Sequence, residues 1–313
     1  MINKLKIIKA EGLYPYRNQA IEKYLLDTCK EGEMIFYLWS NDNTVFIGKN
    51  QNAYTECKIP YLKYRGHIAR RFTGGGAVYH DKGNLNFTFI TCREDYDISN
   101  QFAVILNAMH ALGFDAKING RNDLTIDGKK FSGNAFYKSQ TVCLHHGTVL
   151  INSDRNAIAK FLNVRQFKLD GKGVKSVQSR VCNLSDFRFV KKSEVIDVLQ
   201  TALIERFPNA ELQLLNESDL PEEELQTLTE YFADPNYVLG DDIHYSAEFE
   251  YRYEWGVADI RLQFNGDIIE KARIYSDALD TEAVELKEKL LTGLDLKKPV
   301  DPRIKDIIDF FRR

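Results

Sequence analysis

The spacing of apolar and polar positions changes several times along the chain, and each change predicts an element. "YRNQAIEKYLLDTCKEGE" sets Ala20, Ile21, Tyr24, Leu25 and Cys29 at the intervals of one helix face. "MIFYLWSNDNTVFIG" is apolar on both sides of Asn41, Asp42 and Asn43, which predicts a hairpin turning at those residues. "NLNFTFI" predicts a strand. "ISNQFAVILNAMHALGF" predicts an amphipathic helix with Phe102, Ile105, Leu106, Met109 and Leu112 on one face. "RNDLTIDGKKFSGNAFY" and "TVCLHHGTVLIN" read as strands, and "RNAIAKFLN" reads as a short helix. A basic, glycine-bearing segment then precedes the helix "KKSEVIDVLQTALIERF".

The acidic helix "PEEELQTLTEYFA" leads into "DPNYVLGDDIHYSAEF", whose Asp, Pro and Gly content reads as a linker. After it, "ADIRLQFNGDIIEKARIYS" carries Asn265-Gly266, the strongest short-range hairpin signal. Two helical segments, "TEAVELKEKLLTG" and "DPRIKDIIDFFRR", close the chain. The predicted organisation is a larger domain over 1–245 and a smaller one over 246–313. Strands and helices mix without regular βαβ alternation, so the expected class is α+β.

A formal net charge of -3 on 313 residues removes any general cationic pull toward nucleic acid, so steering must come from local patches. The cysteines, Cys29, Cys57, Cys92, Cys143 and Cys182, are odd in number, scattered and without C-x-x-C spacing. They read as reduced thiols, not as a disulfide frame or zinc site. The start, "MINKLKIIKAEGLYPY", lacks the apolar core of a signal peptide, and no run reaches the roughly 18 apolar residues of a membrane span. The expectation is a cytoplasmic monomer that works on neither nucleic acid nor membrane.

Chemistry concentrates in a few stretches. "RRFTGGGAVYHDKGNLNFTFI", Arg70 to Ile90, sets two arginines and three glycines before a strand. It is not a P-loop, which needs G-x-x-x-x-G-K-[ST], and the residues after the glycines alternate like a strand where a dinucleotide fingerprint needs a helix. Two readings remain. One is a backbone cradle with arginine beside it to meet negative charge. The other is a glycine-rich turn between strands; the flanking Arg70, Arg71 and His80-Asp81 count against it. Strand alternation sends Arg70 and Arg71 to opposite sides, so only one of them enters a site.

In "NDLTIDGKKFSG", a two-residue turn at Asp127-Gly128 pairs Ile126 with Lys129, Thr125 with Lys130, Leu124 with Phe131 and Asp123 with Ser132. Leu124, Ile126 and Phe131 then mark the packed face. Asp123, Thr125, Lys130 and Ser132 share a polar face, which either meets water or positions Lys130 for an anion or carbonyl. "LHHGTVLI" places His145 and His146 on opposite faces without the carboxylate or cysteine spacing of a metal site. Cys143 sits in an apolar strand and reads as an inert thiol. The run from Arg165 to Arg180, with Gly171 and Gly173 as hinges, is a solvated face, a flap over phosphates or a patch for an acidic domain.

Taken in order, "VFIGKNQNAYTEC", "RRFTGGGAVYHDKGNLNFTF", "GRNDLTIDGKKFSGNAF", "HHGTVLIN" and "KGVKSVQSRVCNL" resemble the motifs of the lipoate-protein ligase A family. The resemblance covers nearly the whole chain, more loosely after about residue 190. It implies a biotin-ligase-like α+β catalytic domain, with mixed sheets and flanking helices, and a small α+β C-terminal domain. It also implies a two-step activity. Lipoate and Mg-ATP give lipoyl-adenylate and pyrophosphate, and the acyl group then passes to a lysine of an apo lipoyl carrier. The implied carriers are dehydrogenase-complex E2 subunits and the glycine-cleavage H protein.

Carried over residue by residue, Arg71, Gly75, Gly76, Ala77, Val78 and Tyr79 would contact the nucleotide and acyl phosphate, and Lys130 is the essential lysine. Arg70, Thr73, His80, Asn84, Asp123 and His146 are candidate substrate or magnesium contacts, with no firm metal-ligand set. Lys172, Lys175 and Arg180 belong to the segment resembling the adenylate-binding loop. The preference between lipoate, octanoate and lipoamide stays open. A related transferase would need an acyl-enzyme cysteine, and only Cys143 lies near the motifs. A biotin ligase fits the ordered motifs less well. A non-catalytic binding module would have little need of both Lys130 and Arg71.

Overall fold

The structure, a computed structural model, describes residues 1–59, 66–120, 122–163, 181–240 and 245–311. The first half runs β1 (Lys4–Lys9), α1 (Pro15–Thr28), β2 (Glu33–Trp39), β3 (Thr44–Ile47), α2 (Ala53–Glu56), β4 (His67–Arg70), β5 (Val78–His80), β6 (Asn84–Cys92) and α3 (Ile98–Ala111). It continues through β7 (Ala116–Asn119), β8 (Asp123–Ile126), β9 (Lys129–Lys138), β10 (Val142–Leu150), α4 (Arg155–Phe161), α5 (Lys192–Arg206), β11 (Glu211–Leu215), α6 (Glu222–Ala233) and α7 (Pro235–Leu239). The C-terminal part comprises β12 (Ala247–Tyr253), β13 (Gly256–Asn265), β14 (Ile268–Ser276), α8 (Thr281–Leu291) and α9 (Lys305–Phe311).

Eight strands form one mixed sheet in the order β11-β1-β2-β6-β10-β9-β8-β7. Every residue of β2 is buried, because both faces of this sheet are covered. Met34, Phe36 and Leu38 point into the core shared with Phe102, Ile105 and Leu199, under α3 and α5. Ile35, Tyr37 and Trp39 point into the opposite core, with Ile21 and Leu25 of α1 and Leu225 of α6. Full burial of one such side chain contributes about 1.5–3 kcal/mol. Helix α3 starts where Asp97 accepts hydrogen bonds from the Ser99 and Asn100 amides, the usual acidic N-cap.

The expected hairpin across Asn41–Asn43 does not form. Strand β2 is hydrogen-bonded by β1 on one edge and β6 on the other, so β3 has no free edge there. It instead centres a small sheet, β4-β3-β5, parallel to β4 and antiparallel to β5. The "linker" reading also needs correction: Pro235–Leu239 is helical, capped by Asp234 accepting from the Asn236 amide.

The C-terminal strands form a third sheet, β12-β13-β14, with a separate core that includes Ile260, Leu262, Ile274, Val284 and Ile308. Its predicted hairpin is present, with Asn265 paired to Ile268, so the turn sits at Gly266-Asp267, one residue later than expected. Among the described residues, no helix is long and apolar enough to cross a membrane.

Candidate active site

The loop between β4 and β5 carries the glycines, and its two arginines part as alternation requires. Arg70 is buried against main-chain carbonyls. Its Nη1 donates to the carbonyls of Lys49 and Gln51 at 2.8 and 2.6 Å, and its Nε to Tyr237 and Val238 at 2.9 and 3.1 Å. A guanidinium occupied by carbonyls from two segments ties α7 to the small sheet. Arg70 is therefore not brought to the site, contrary to the expectation that it contacts substrate or magnesium.

Arg71 lines a cavity of about 930 Å³. It too is held by main chain: Nη2 donates to Gly74 O and Gly76 O at 2.8 Å each, Nε to Gly74 O at 3.1 Å and Nη1 to Phe46 O at 3.0 Å. Burial pulls its pKa down to about 10, which still leaves a cation at neutral pH. Arg71 thus shapes the glycine loop from inside and carries charge to the cavity wall.

Gly75 has φ +93°, a conformation that suits glycine, and an added Cβ would lie 3.0 Å from Arg71 Nη2. Gly74 answers a different demand. Its Cβ would come within 2.3 Å of Ala278 O, so the loop lies directly on the C-terminal main chain, and Gly75 N donates to that same carbonyl at 3.0 Å. Gly76, Ala77 and Val78 line the cavity with Gly75. The side chain of Tyr79 does not. It stacks on Phe161 with ring centroids 5.0 Å apart and donates to Asn43 Oδ1 at 2.7 Å, so any contact from Tyr79 to the cavity belongs to its backbone.

Lys130 also lines the cavity. The two-residue turn forms, with Asp127 at φ 50° and Gly128 at φ 73°, and it pairs Thr125 with Lys130 and Ile126 with Lys129 as expected. Beyond that the register shifts: Leu124 faces Ser132 and Asp123 faces Gly133, leaving Phe131 as the extra residue of a bulge. The expected continuous polar row is broken. Ser132 is fully buried, and Thr125 nearly so. The bulge has a useful result, because Gly133 opposite Asp123 leaves room for the lysine head. A Cβ at Gly133 would lie 2.9 Å from both Cε and Nζ of Lys130. Lys130 Nζ reaches Asp123 Oδ1 at 2.6 Å, with both side chains about one-third exposed. The main chain of Lys130 accepts from Cys182 N at 2.8 Å and bridges Val181, where the chain emerges from the basic segment. Lys172, Lys175 and Arg180 lie outside the described residues.

The two histidines of β10 diverge. His145 is enclosed by Phe87, Phe89, Phe102 and Phe136 and hydrogen-bonded to Gln101 and Asn134, and burial holds its pKa well below the usual value. It is a core residue. His146 lines the cavity, with Nε2 2.8 Å from Thr73 Oγ1 and Nδ1 2.8 Å from Glu22 Oε1. Thr88 also donates to Glu22 Oε1 at 2.7 Å, and the indole N–H of Trp39 donates to Thr88 at 3.0 Å. Glu22 was not singled out from the sequence. Its only signal was a carboxyl next to the apolar stripe of α1, and it is completely buried.

His80 is buried and lines the cavity. Burial first, then Arg71 and His146, pull its pKa to about 3. Asn84 stands behind the wall. Its side chain donates to Asn86 Oδ1 at 2.9 Å, and its carbonyl accepts from Ser40 Oγ and Lys192 Nζ. Asn86, which lines the cavity, was missed, although "NLNFTFI" puts Asn84, Asn86 and Thr88 on one face of β6. Cys143 is buried and outside the cavity lining, with its pKa raised by burial. No group of three or more histidines, cysteines or carboxyls that could hold a metal occurs among the described residues.

The far wall comes from the C-terminal part, with Tyr253, Trp255, Asp277, Leu279 and Asp280. No sequence expectation placed residues of this part in the site. Beyond the glycine loop, contact is made by Ser276 N donating to Asn50 O at 2.8 Å and by an ion pair between Lys49 and Glu285 at 2.5 Å.

Residues 14–204 match the model of the lipoyl protein ligase A/B catalytic domain, and residues 242–308 match that of the bacterial lipoate protein ligase C-terminus. Lipoate-protein ligase A of Psychrobacter cryohalolentis is 36% identical over 307 residues, 94% of this chain and 90% of the relative. Similar solved structures include these three. LipL1 of P. falciparum in complex with lipoate has a TM-score of 0.82 at 28% identity, covering 99% of this chain and 94% of that one. A bipartite lipoate protein ligase from Thermoplasma acidophilum, described with its E2 lipoyl domain, has a TM-score of 0.66 at 27% identity, covering 79% and 100%. A lipoate-protein ligase A bound with ATP has a TM-score of 0.64 at 26% identity, covering 77% and 99%.

Proposed function

The chain belongs to the lipoate-protein ligase A family, and we propose that it couples ATP to the attachment of lipoate to a lysine of a lipoyl carrier domain. One observation carries this reading: Lys130, Arg71 and the glycine loop converge on a single cavity large enough for a nucleotide and an acyl chain.

The chemistry explains the residue types. In the first step a carboxylate oxygen of lipoate attacks the α-phosphorus of ATP, the bond to the β-phosphate oxygen breaks, and pyrophosphate leaves with the electron pair. Two anions must approach, which calls for fixed cations and backbone amides and for no nucleophilic side chain. Arg71 holds the loop from Gly74 to Gly76 so that main chain can close on the phosphate. Lys130 offers N–H donors to the acyl and phosphate oxygens as charge develops. In the second step the carrier amine attacks the acyl carbonyl, the bond to phosphate breaks and AMP departs, with loss of one proton from the amine. The same lysine polarises the carbonyl.

Magnesium is part of the substrate, entering as Mg-ATP. Such an ion keeps several waters and takes only one or two protein carboxylates, a demand that Asp277 or Asp280 on the far wall can meet. Lys172, Lys175 and Arg180 are proposed as further phosphate contacts. The working division is a catalytic domain over 1–245 and an accessory domain over 246–313. The carriers are proposed to be E2 lipoyl domains and the glycine-cleavage H protein, and the compartment the cytoplasm, where five free cysteines persist. Octanoate, which offers the same carboxyl group, is an alternative acyl donor.

The test of the first step is isotope exchange between pyrophosphate and ATP. Exchange that appears only with lipoate or octanoate supports acyl-adenylate formation, and exchange absent with every acyl acid contradicts it.

A further inference from the structure

We infer that His80 and Asn86 form a neutral pair of hydrogen-bond donors that binds a carboxyl oxygen of the acyl substrate. The inference rests on the ligase reading above and adds two binding residues to it. Both side chains line the cavity, and both are almost entirely buried, His80 3% and Asn86 2% exposed. His80 Nε2 and Asn86 Nδ2 nevertheless have no hydrogen-bond partner among the described residues. A buried donor without a partner costs about 1–3 kcal/mol, so two in one wall call for an acceptor.

The hydrogen-bond network assigns the donor roles. Asn18 Nδ2 donates to the carbonyl of Ser40 at 2.8 Å and to Asn41 Oδ1 at 2.9 Å. The carbonyl can only accept, which fixes the Asn18 amide and in turn makes Asn41 Oδ1 the acceptor. Asn41 Nδ2 therefore faces His80 Nδ1, at 3.2 Å, as a donor. Nδ1 accepts, so the proton of the neutral ring sits on Nε2. Burial and the nearby Arg71 keep the ring neutral. On the second residue, Asn84 Nδ2 donates to Asn86 Oδ1 and turns the Asn86 amide hydrogens outward from that bond. Protonated at Nε2 and bonded at Nδ1, His80 has no lone pair to offer magnesium, contrary to the expectation of a possible metal contact there.

The surroundings select the acceptor. His80 stacks on Phe46 with centroids 5.4 Å apart and meets the Trp39 ring edge-on at 6.2 Å. Two uncharged donors beside the Phe46 and Trp39 rings suit one oxygen of a singly charged carboxylate, or the acyl carbonyl it becomes. Triphosphate calls for cations, which Arg71 and Lys130 supply, and a disulfide sulfur is a weak acceptor.

The test measures affinity for lipoate, octanoate and Mg-ATP by calorimetry, together with the melting temperature, for wild type, His80→Phe and Asn86→Leu. Each substitution should weaken lipoate and octanoate alike by about tenfold or more and leave Mg-ATP unchanged. The melting temperature serves as the folding control, since His80→Phe takes the acceptor from Asn41 Nδ2 and Asn86→Leu takes it from Asn84 Nδ2. Unchanged acyl affinities would overturn the inference, as would weakened Mg-ATP or a loss confined to lipoate. Should a variant fail to fold, nitrogen-labelled histidine spectra of wild type decide: the His80 Nε2–H resonance must move on adding octanoate and stay put on adding Mg-ATP. Wild type that binds no acyl acid at all would defeat the ligase reading itself, an outcome distinct from failure of the donor pair.

Discussion

Lys130 Nζ sits 2.6 Å from Asp123 Oδ1 across a one-residue bulge, above a glycine that leaves it room. The neighbouring Lys129 is exposed and leaves the cavity lining to Lys130. Two adjacent lysines thus make a built-in control. Lys130→Ala should slow lipoate-dependent pyrophosphate release by about 10²–10³-fold, the scale of a lost oxyanion donor. Lys129→Ala should leave the rate within about twofold of wild type, since a surface side chain contributes little. Equal effects at the two positions would remove the assignment of Lys130.

Asp123 is expected to orient the lysine. Asp123→Asn should lower the rate less than loss of Lys130 does, by about tenfold, as expected of a positioning hydrogen bond. The readout is kcat against KM for Mg-ATP. A rise in the KM for Mg-ATP alone would instead make Asp123 a ligand of the incoming magnesium.

At Gly75 the backbone and the cation are linked. Alanine there must adopt φ +93° and crowd Arg71 Nη2. Gly75→Ala should cost about 1 kcal/mol or more in unfolding free energy and reduce adenylation far more, on the order of 10²-fold, by misplacing loop amides. Urea unfolding and single-turnover adenylation, measured on the same preparation, separate the two effects. A purely proportional loss would contradict a binding role for the loop.

The adjacent arginines should fail in different ways. Arg70→Met leaves carbonyls of Lys49, Gln51, Tyr237 and Val238 without their donor and should destabilise by about 2–4 kcal/mol, while the folded fraction keeps its affinity for Mg-ATP. Arg71→Met should abolish measurable Mg-ATP binding. Calorimetry on folded protein below the melting transition distinguishes them.

Acid stability depends on the buried histidines. His80 falls from 6.5 to about 3 on folding, so between those values the unfolded chain holds a proton that the folded chain does not. Its contribution is fully present above about pH 6.5 and is lost as pH falls toward 3, with a slope approaching about 1.4 kcal/mol per pH unit. His145 acts with the same sign. Urea midpoints of wild type and His80→Phe, compared from neutral pH downward, should show a shallower fall in the variant. Parallel curves would mean that His80 is not held neutral by the fold.

The sequence made most elements visible because their periods were clean, as in α3, the β8–β9 turn and the β13–β14 hairpin. The failures share a cause: local patterns do not say which edge a strand uses. Strand β3 looked like the return of β2, yet β2 had both edges occupied by strands distant in the chain. The bulge at Phe131 shows no local sign either, and it moved Asp123 from Ser132 to Gly133. The motif stretch indicated Arg71, Lys130 and the glycines. Glu22, Asn86 and the wall of Tyr253, Trp255 and Asp280 were hidden, because each is a common residue whose meaning depends on what packs against it.

Ligase activity is tested most directly by the intact mass of an apo lipoyl carrier, an E2 lipoyl domain or H protein, after incubation with this protein, Mg-ATP and lipoate. The carrier should gain a single lipoyl increment that requires ATP and disappears with Lys130→Ala. An unmodified carrier with wild-type protein, or an increment that survives Lys130→Ala undiminished, would contradict the proposed ligase and its lysine.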